Sequence, residues 1–212
     1  MNPRRRVHPL LFLFIGSISA MLATEAAADR SVVLVKDGIT VEQDAAEGRT
    51  LPILIGTTTM KTDPERIAAW VTAVHTYVDW QHNCEEARVL EQPDGTRLTY
   101  NRIGSPWPVS DRDVVLRSTR KNLEDGVIRL DFRSTEVARV EVPRGVVRMR
   151  RLVGSYVLTP TNDGETRVVY TVDSDPGGSL PAWLVKQAGK DLPYHTLENL
   201  RTRAEVGPPP AE

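Results

Sequence analysis

The sequence predicts an α+β domain: a curved antiparallel β-sheet of about nine strands wrapped around a long C-terminal helix, with a second helix after the first strands. Three observations carry this expectation. Short β-branched runs recur through the middle of the chain, separated by Asp-Gly turns. One amphipathic segment near Trp70 interrupts them. The last long segment repeats apolar residues three and four apart.

Residues 32–35 are β-branched and end at Lys36-Asp37-Gly38, a turn, after which residues 39–42 alternate apolar and polar; together they predict a hairpin. Residues 51–59 form a further strand. Asp63-Pro64-Glu65 then opens the clearest helix. Asp accepts hydrogen bonds from the free first-turn amides, and Pro fits the first helical position. Ile67, Trp70, Val71, Val74, Tyr77 and Val78 make one apolar stripe for a sheet to cover. Three hairpins follow: residues 88–91 with 97–102, 114–119 with 127–132, and 148–158 with 166–172. Their turns hold Pro93-Asp94-Gly95, Glu124-Asp125-Gly126 and Asn162-Asp163-Gly164. Asp-Gly supplies the positive backbone angles of tight turns, so the strands should pair in order as a meander. Arg148, Arg150 and Arg151 crowd one strand, as on a solvated outer face.

The final helix should start at Pro176-Gly177-Gly178-Ser179, with Ser179 as its cap. Leu180, Trp183, Leu184, Gln187 and Ala188 follow at helical spacing, and Leu197 and Leu200 continue the face. Pro193 interrupts the pattern. It removes the hydrogen bond to the Gly189 carbonyl and should kink or split the helix. The space between sheet and helix is then either filled by side chains or left as a pocket.

Bulk properties narrow the function. Arg4, Arg5 and Arg6, the apolar run 10–22 and Ala26-Ala27-Ala28 have the order of a secretory signal peptide, residues 1–28. The run is shorter than the ~20 residues that span a bilayer, although an uncleaved anchor is the alternative. The expected organisation is that signal, one domain over 29–205 and a disordered Pro-rich tail over 206–212, with a periplasmic or secreted location. A formal net charge of −1 gives no general attraction for nucleic acid. The single cysteine, Cys84, cannot form an intrachain disulfide and is expected to be buried. His82 and Cys84 lack partners for a metal site, and no cofactor motif is present. His195, with Asp191 nearby, is a weak general acid–base candidate.

Two stretches carry a family resemblance. Pro106-Trp107-Pro108-Val109-Ser110-Asp111-Arg112-Asp113 leads into a strand, and Asp175-Pro176-Gly177-Gly178-Ser179-Leu180-Pro181-Ala182-Trp183-Leu184-Val185 leads into the final helix. Between them lies Gly154-Ser155-Tyr156-Val157-Leu158-Thr159-Pro160. In order and spacing these resemble the START (StAR-related lipid-transfer) domain family of the helix-grip superfamily, in its bacterial exported branch. The resemblance implies a tunnel for one lipid, with the final helix and the loop 136–144 as a lid whose apolar tips are Val137, Val140 and Val142. Some sterol-binding members hold a polar head with an acid–arginine pair; the matching positions here, Thr99 and Ser118, are uncharged. Arg112 reads as structural, its planar fork tying the turn to a carboxylate or to backbone carbonyls. Trp107, between two prolines, is expected to plug one end of the sheet.

The resulting expectation is a non-enzymatic binding module, monomeric, in transient contact with a membrane. Its partner is a lipid or other hydrophobic molecule, held by Leu180, Trp183, Leu184, Gln187, Ala188, Leu192 and Leu197 together with the three valines. The alternatives are a cyclase- or hydrolase-like helix-grip enzyme working in the same cavity, and an accessory protein whose cavity is filled.

Overall fold

The computed structural model describes residues 30–45, 51–92, 95–137 and 139–210. The expected signal peptide, 1–28, lies outside the described residues. Ten strands form one sheet: β1 (Arg30–Lys36), β2 (Ile39–Asp44), β3 (Ile53–Met60), β4 (Cys84–Glu91), β5 (Thr96–Ile103), β6 (Arg112–Asn122), β7 (Ile128–Ser134), β8 (Val147–Arg148), β9 (Arg151–Pro160) and β10 (Thr166–Asp175). Helices α1 (Pro64–Thr72) and α2 (Tyr77–Trp80) follow β3, and α3 (Ala182–Val206) ends the fold. The curved sheet runs β1-β2-β3-β10-β9-β7-β6-β5-β4, with β8 beside β6.

The β6–β7 hairpin forms where its local turn dictates it, whereas Pro93 and Asp94 of the expected β4–β5 turn lie outside the described residues. Asp125 and Gly126 adopt φ of 55° and 72°, the left-handed backbone that the β6–β7 turn requires. The purely sequential meander does not hold. β3 pairs with β10, not β4, because α1 and α2 carry the chain to the far edge of the sheet. The strand expected over 148–158 is two strands. β7 pairs with β6 only from Leu116 onward, which leaves one side of Arg112 and Asp113 open, and β8 fills it in parallel.

Asp63 caps α1 as its chemistry dictates, accepting from the Arg66 amide at 2.9 Å. The apolar stripe does not continue through one helix. A 3₁₀ turn at Val74–Thr76 shifts the phase, so Val78 faces solvent while Trp80 is buried.

Helix α3 departs from expectation at two points. It begins after Pro181 and not at Ser179. It also runs unbroken through Pro193, which is buried against β3. A Cβ on Gly56 would lie 2.7 Å from Leu197 Cδ1 and 3.1 Å from Pro193 Cβ, so the missing side chain lets the helix settle directly on the strand. From Gly189 onward α3 buries Pro193, Tyr194, Leu197, Leu200 and Ala204 over a core that includes Ile39, Val41, Ile67, Leu158 and Val168. Its first two turns, up to Ala188, bury no residue completely. One half of the helix is therefore packed and the other stands off the sheet. The helix ends at Val206, the first residue of the expected tail.

The opposite face of the sheet is covered locally as well. Asp113 is fully buried, and Arg148 grips it through Nε to Oδ1 at 2.7 Å and Nη2 to Oδ2 at 2.9 Å. The same guanidinium donates to the carbonyl of Val140 at 3.3 Å. Arg148 is thus a structural tie and not part of a solvated face.

Candidate functional site

Beneath the raised half of α3 lies a cavity of about 1210 Å³, larger than the ~300–1,000 Å³ of ordinary small-molecule pockets. Strand alternation decides its walls. Thr99, Asn101 and Ile103 of β5 face it, as do Arg112, Val114, Leu116 and Ser118 of β6. Phe132, Tyr156 and Tyr170 make an aromatic floor. The two tyrosine rings stack at 4.4 Å between centroids, and Phe132 lies 6.2 and 6.4 Å from them. Gly154 permits this arrangement, since a Cβ there would sit 2.4 Å from Phe132 Cζ. Burial pushes both phenols well above their ordinary pKa, so they stay protonated.

Of the residues expected from sequence to hold a ligand, Leu180, Leu184, Gln187, Ala188 and Leu192 line this cavity. The others are placed elsewhere. Trp183 is 54% exposed, because a residue next to Leu184 points about 100° around the helix from it. Leu197 is wholly buried, but in the packed half over Gly56. Val137, Val140 and Val142 lie outside the lining: Asp113 points away from the cavity, and Arg148 fastens the loop to that outer side. Trp107 is 92% exposed and plugs nothing.

The reading from sequence missed Asn101. In β5 both faces are covered: Leu98 and Tyr100 are buried on the outer side, and Thr99 and Asn101 on the cavity side. Alternation then marks the polar face as outward when it faces in. The uncharged residues named by the resemblance, Thr99 and Ser118, do line the cavity.

The ends of the cavity are held by specific ties. Arg112 is buried and donates through Nη1 to the Ser110 carbonyl and through Nη2 to the Gly177 carbonyl at 3.2 Å. It so fastens β6 to the turn ahead of α3, the backbone-carbonyl role expected of it. At the rim, His82 stacks on His195 with centroids 5.0 Å apart, and His195 Nδ1 lies 3.1 Å from Glu198 Oε2. Burial, and then the neighbouring His195, lower the His82 pKa. Tyr194 Oη sits 2.7 Å from both Asp37 and Glu198, tying α3 to the β1–β2 turn and holding both carboxyls below their usual range. Cys84 is buried, which pushes its thiol up to about 11. Among the described residues no group of three or more His, Cys, Asp or Glu is placed to hold a metal ion, and no helix is long and apolar enough to cross a membrane.

The family model for the START domain matches residues 57–202. The chain belongs to the START family. An uncharacterized protein of Pseudomonas aeruginosa is 34% identical over 190 residues, covering 90% of this chain and 94% of that protein. The crystal structure of a STAR-related lipid transfer protein from Xanthomonas axonopodis superposes with a TM-score of 0.75 at 27% identity, over 82% of this chain and 98% of that one. Human StAR-related lipid transfer protein 5 shares the fold, with a TM-score of 0.76 at 18% identity, over 86% and 88% of the two chains. The START resemblance read from the two motif stretches is therefore borne out, and the expected sheet-around-helix architecture with it.

Proposed function

We propose that this START protein binds one hydrophobic molecule, a lipid, under the raised half of α3 and carries it without chemical change. The observation that carries the reading is the 1210 Å³ cavity roofed by Leu184, Ala188 and Leu192 over an aromatic floor. Apolar surface removed from water gains about 25 cal/mol per Å², so a guest with one long chain binds usefully without charged contacts. Family membership supports the same reading. Of the buried polar side chains of the walls, Thr99, Asn101 and Thr196 are neither acids nor bases, Arg112 is turned to backbone carbonyls, and the Tyr156 and Tyr170 phenols stay protonated, which favours a carrier over a cyclase- or hydrolase-like enzyme.

The protein works in the cell envelope as a monomer, on this proposal, after removal of residues 1–28. The basic start and the short apolar run support export. Membrane contact is transient and made by exposed aromatics beside the opening. Trp107 and Trp183 are both exposed, and each lies in a segment that contributes neighbours, Pro106 and Ala182, to the cavity lining. Tryptophan favours the bilayer interface. The test is lipid extraction from vesicles by the purified mature protein. Wild type should extract lipid, Ala188→Trp should lose extraction while keeping its melting temperature, and Trp107→Ala should slow transfer. Full extraction by Ala188→Trp would show that the guest sits elsewhere.

A further inference from the structure

The outer face of the sheet carries a charge pattern that the cavity does not use. Strand alternation turns Leu116 and Ser118 of β6 and Phe132 of β7 toward the cavity, so Arg117 and Arg133 point out on the side away from α3. The β6–β7 register sets these two arginines directly opposite each other. Residues so placed have Cβ atoms about 5 Å apart, and like charges there repel and weaken the sheet. Among the described residues neither guanidinium has an ion-pair or hydrogen-bond partner. The neighbouring cations differ. Arg129 and Lys121 share Asp131 at 2.7 and 3.4 Å, and Arg151 pairs with Asp173.

The patch is accessible and one-sided in charge. Arg133 is exposed and Arg117 half-buried, and Val153, opposite Arg133 on the other side, is 38% exposed. Away from the buried Asp113, the described residues on the outer side of β6, β7 and β9 set Arg117, Lys121, Arg129, Arg133 and Arg151 against a single acid, Asp131. The whole chain has a formal net charge of −1, so this face is basic against the trend of the molecule.

We infer that this face docks an acidic segment of a partner protein, whose carboxylates are gripped by the opposed guanidiniums of Arg117 and Arg133. An arginine fork holds a carboxylate through two parallel N–H donors, and an anion between two such forks relieves their repulsion. Carboxylates on one side of an extended segment recur about 7 Å apart, which suits two neighbouring arginines. Val153 supplies an apolar contact beside them. A bilayer fits this face less well. The cavity lies on the other side of the sheet, under the raised half of α3, where Trp183 is exposed. A membrane held against Arg117 and Arg133 would lie across the sheet from that opening, whereas a protein docked there leaves the opening free.

The experiment follows dye-labelled hexaglutamate by fluorescence anisotropy as the purified protein is added at low salt. Wild type should bind the peptide, and added salt should weaken binding by screening. Arg117→Thr with Arg133→Thr should bind about tenfold more weakly, the scale of two well-made exposed ion pairs. Its melting temperature should not fall, because threonine suits a strand and the opposed charges are gone. Arg133→Gln gives the same readout if the double variant does not fold. Lys186→Gln with Lys190→Gln removes the same charge from exposed positions on α3 and should bind as wild type does. Failure of wild type to bind overturns the assignment, and so does equal weakening by the two double variants, since the attraction is then to overall charge. A lowered melting temperature in the arginine double variant also overturns it, because the two side chains then serve the fold. Phosphatidylglycerol vesicles are the competing probe. If they bind more tightly than the peptide through the same two arginines, the face meets a membrane and the protein partner is wrong.

Discussion

Gly56→Ala tests how closely α3 is clamped to the sheet. A methyl at this position would sit 2.7 Å from Leu197 Cδ1 and 3.1 Å from Pro193 Cβ. Neither neighbour yields easily: Leu197 is 0% exposed, and Pro193 is a rigid ring held in the helix. Overpacking of this kind costs about 1–3 kcal/mol. In a chain of this length each kcal/mol lowers the melting temperature by about 2–4 °C, so the variant should melt roughly 2–12 °C below wild type. A double-mutant cycle isolates the cause. Leu197→Ala alone should cost about 2–5 kcal/mol through the cavity it leaves. Combined with Gly56→Ala it should cost less than the sum, because the new methyl occupies part of that space. The assay is thermal unfolding followed by circular dichroism. A wild-type melting temperature for Gly56→Ala, or strict additivity with Leu197→Ala, would refute the direct contact of helix on strand.

Three further outcomes are expected. Arg148→Ala should destabilise the fold by about 3 kcal/mol in urea titration, because it leaves the fully buried Asp113 carboxylate without its bidentate partner; Arg148→Ala with Asp113→Asn should recover much of that loss. Asp63→Ala should cost about 1 kcal/mol in the same assay through loss of the α1 cap. The folded state lowers the His82 pKa, so the unfolded chain binds the extra proton more readily. Stability contributed by neutral His82 is therefore complete above the ordinary histidine pKa of about 6.5 and falls as pH drops below it. Urea titrations at pH 7.5 and at pH 5 should show this slope, and His82→Gln should flatten it.

How much was legible in the sequence followed the range of each interaction. Hairpins at Asp125-Gly126 and the Asp63 cap are decided by residues within a few positions, and these formed as expected. The β3–β10 pairing joins segments about a hundred residues apart, and local pattern carries no sign of it. Pro193 was read from its missing amide alone; Gly56, far away in the sequence, is what gives it a seat. The roof of the cavity was readable because helical spacing places Leu184, Ala188 and Leu192 on one side. That rule says nothing of where the helix leaves the sheet, so Leu197 was assigned to the cavity although it packs in the core. The valine loop was misplaced because its position rests on Arg148 reaching Asp113 across 35 residues. Asn101 was hidden by a strand buried on both faces.

The account turns on whether the space under the first turns of α3 holds a guest. Native mass spectrometry of the mature protein, purified from its own cells without added detergent, reads this directly. One lipid-sized mass per chain is predicted, replaced by the bare protein mass in Ala188→Trp. A wild-type spectrum showing only the bare chain, with lipid neither retained nor taken up on incubation with vesicles, would contradict it.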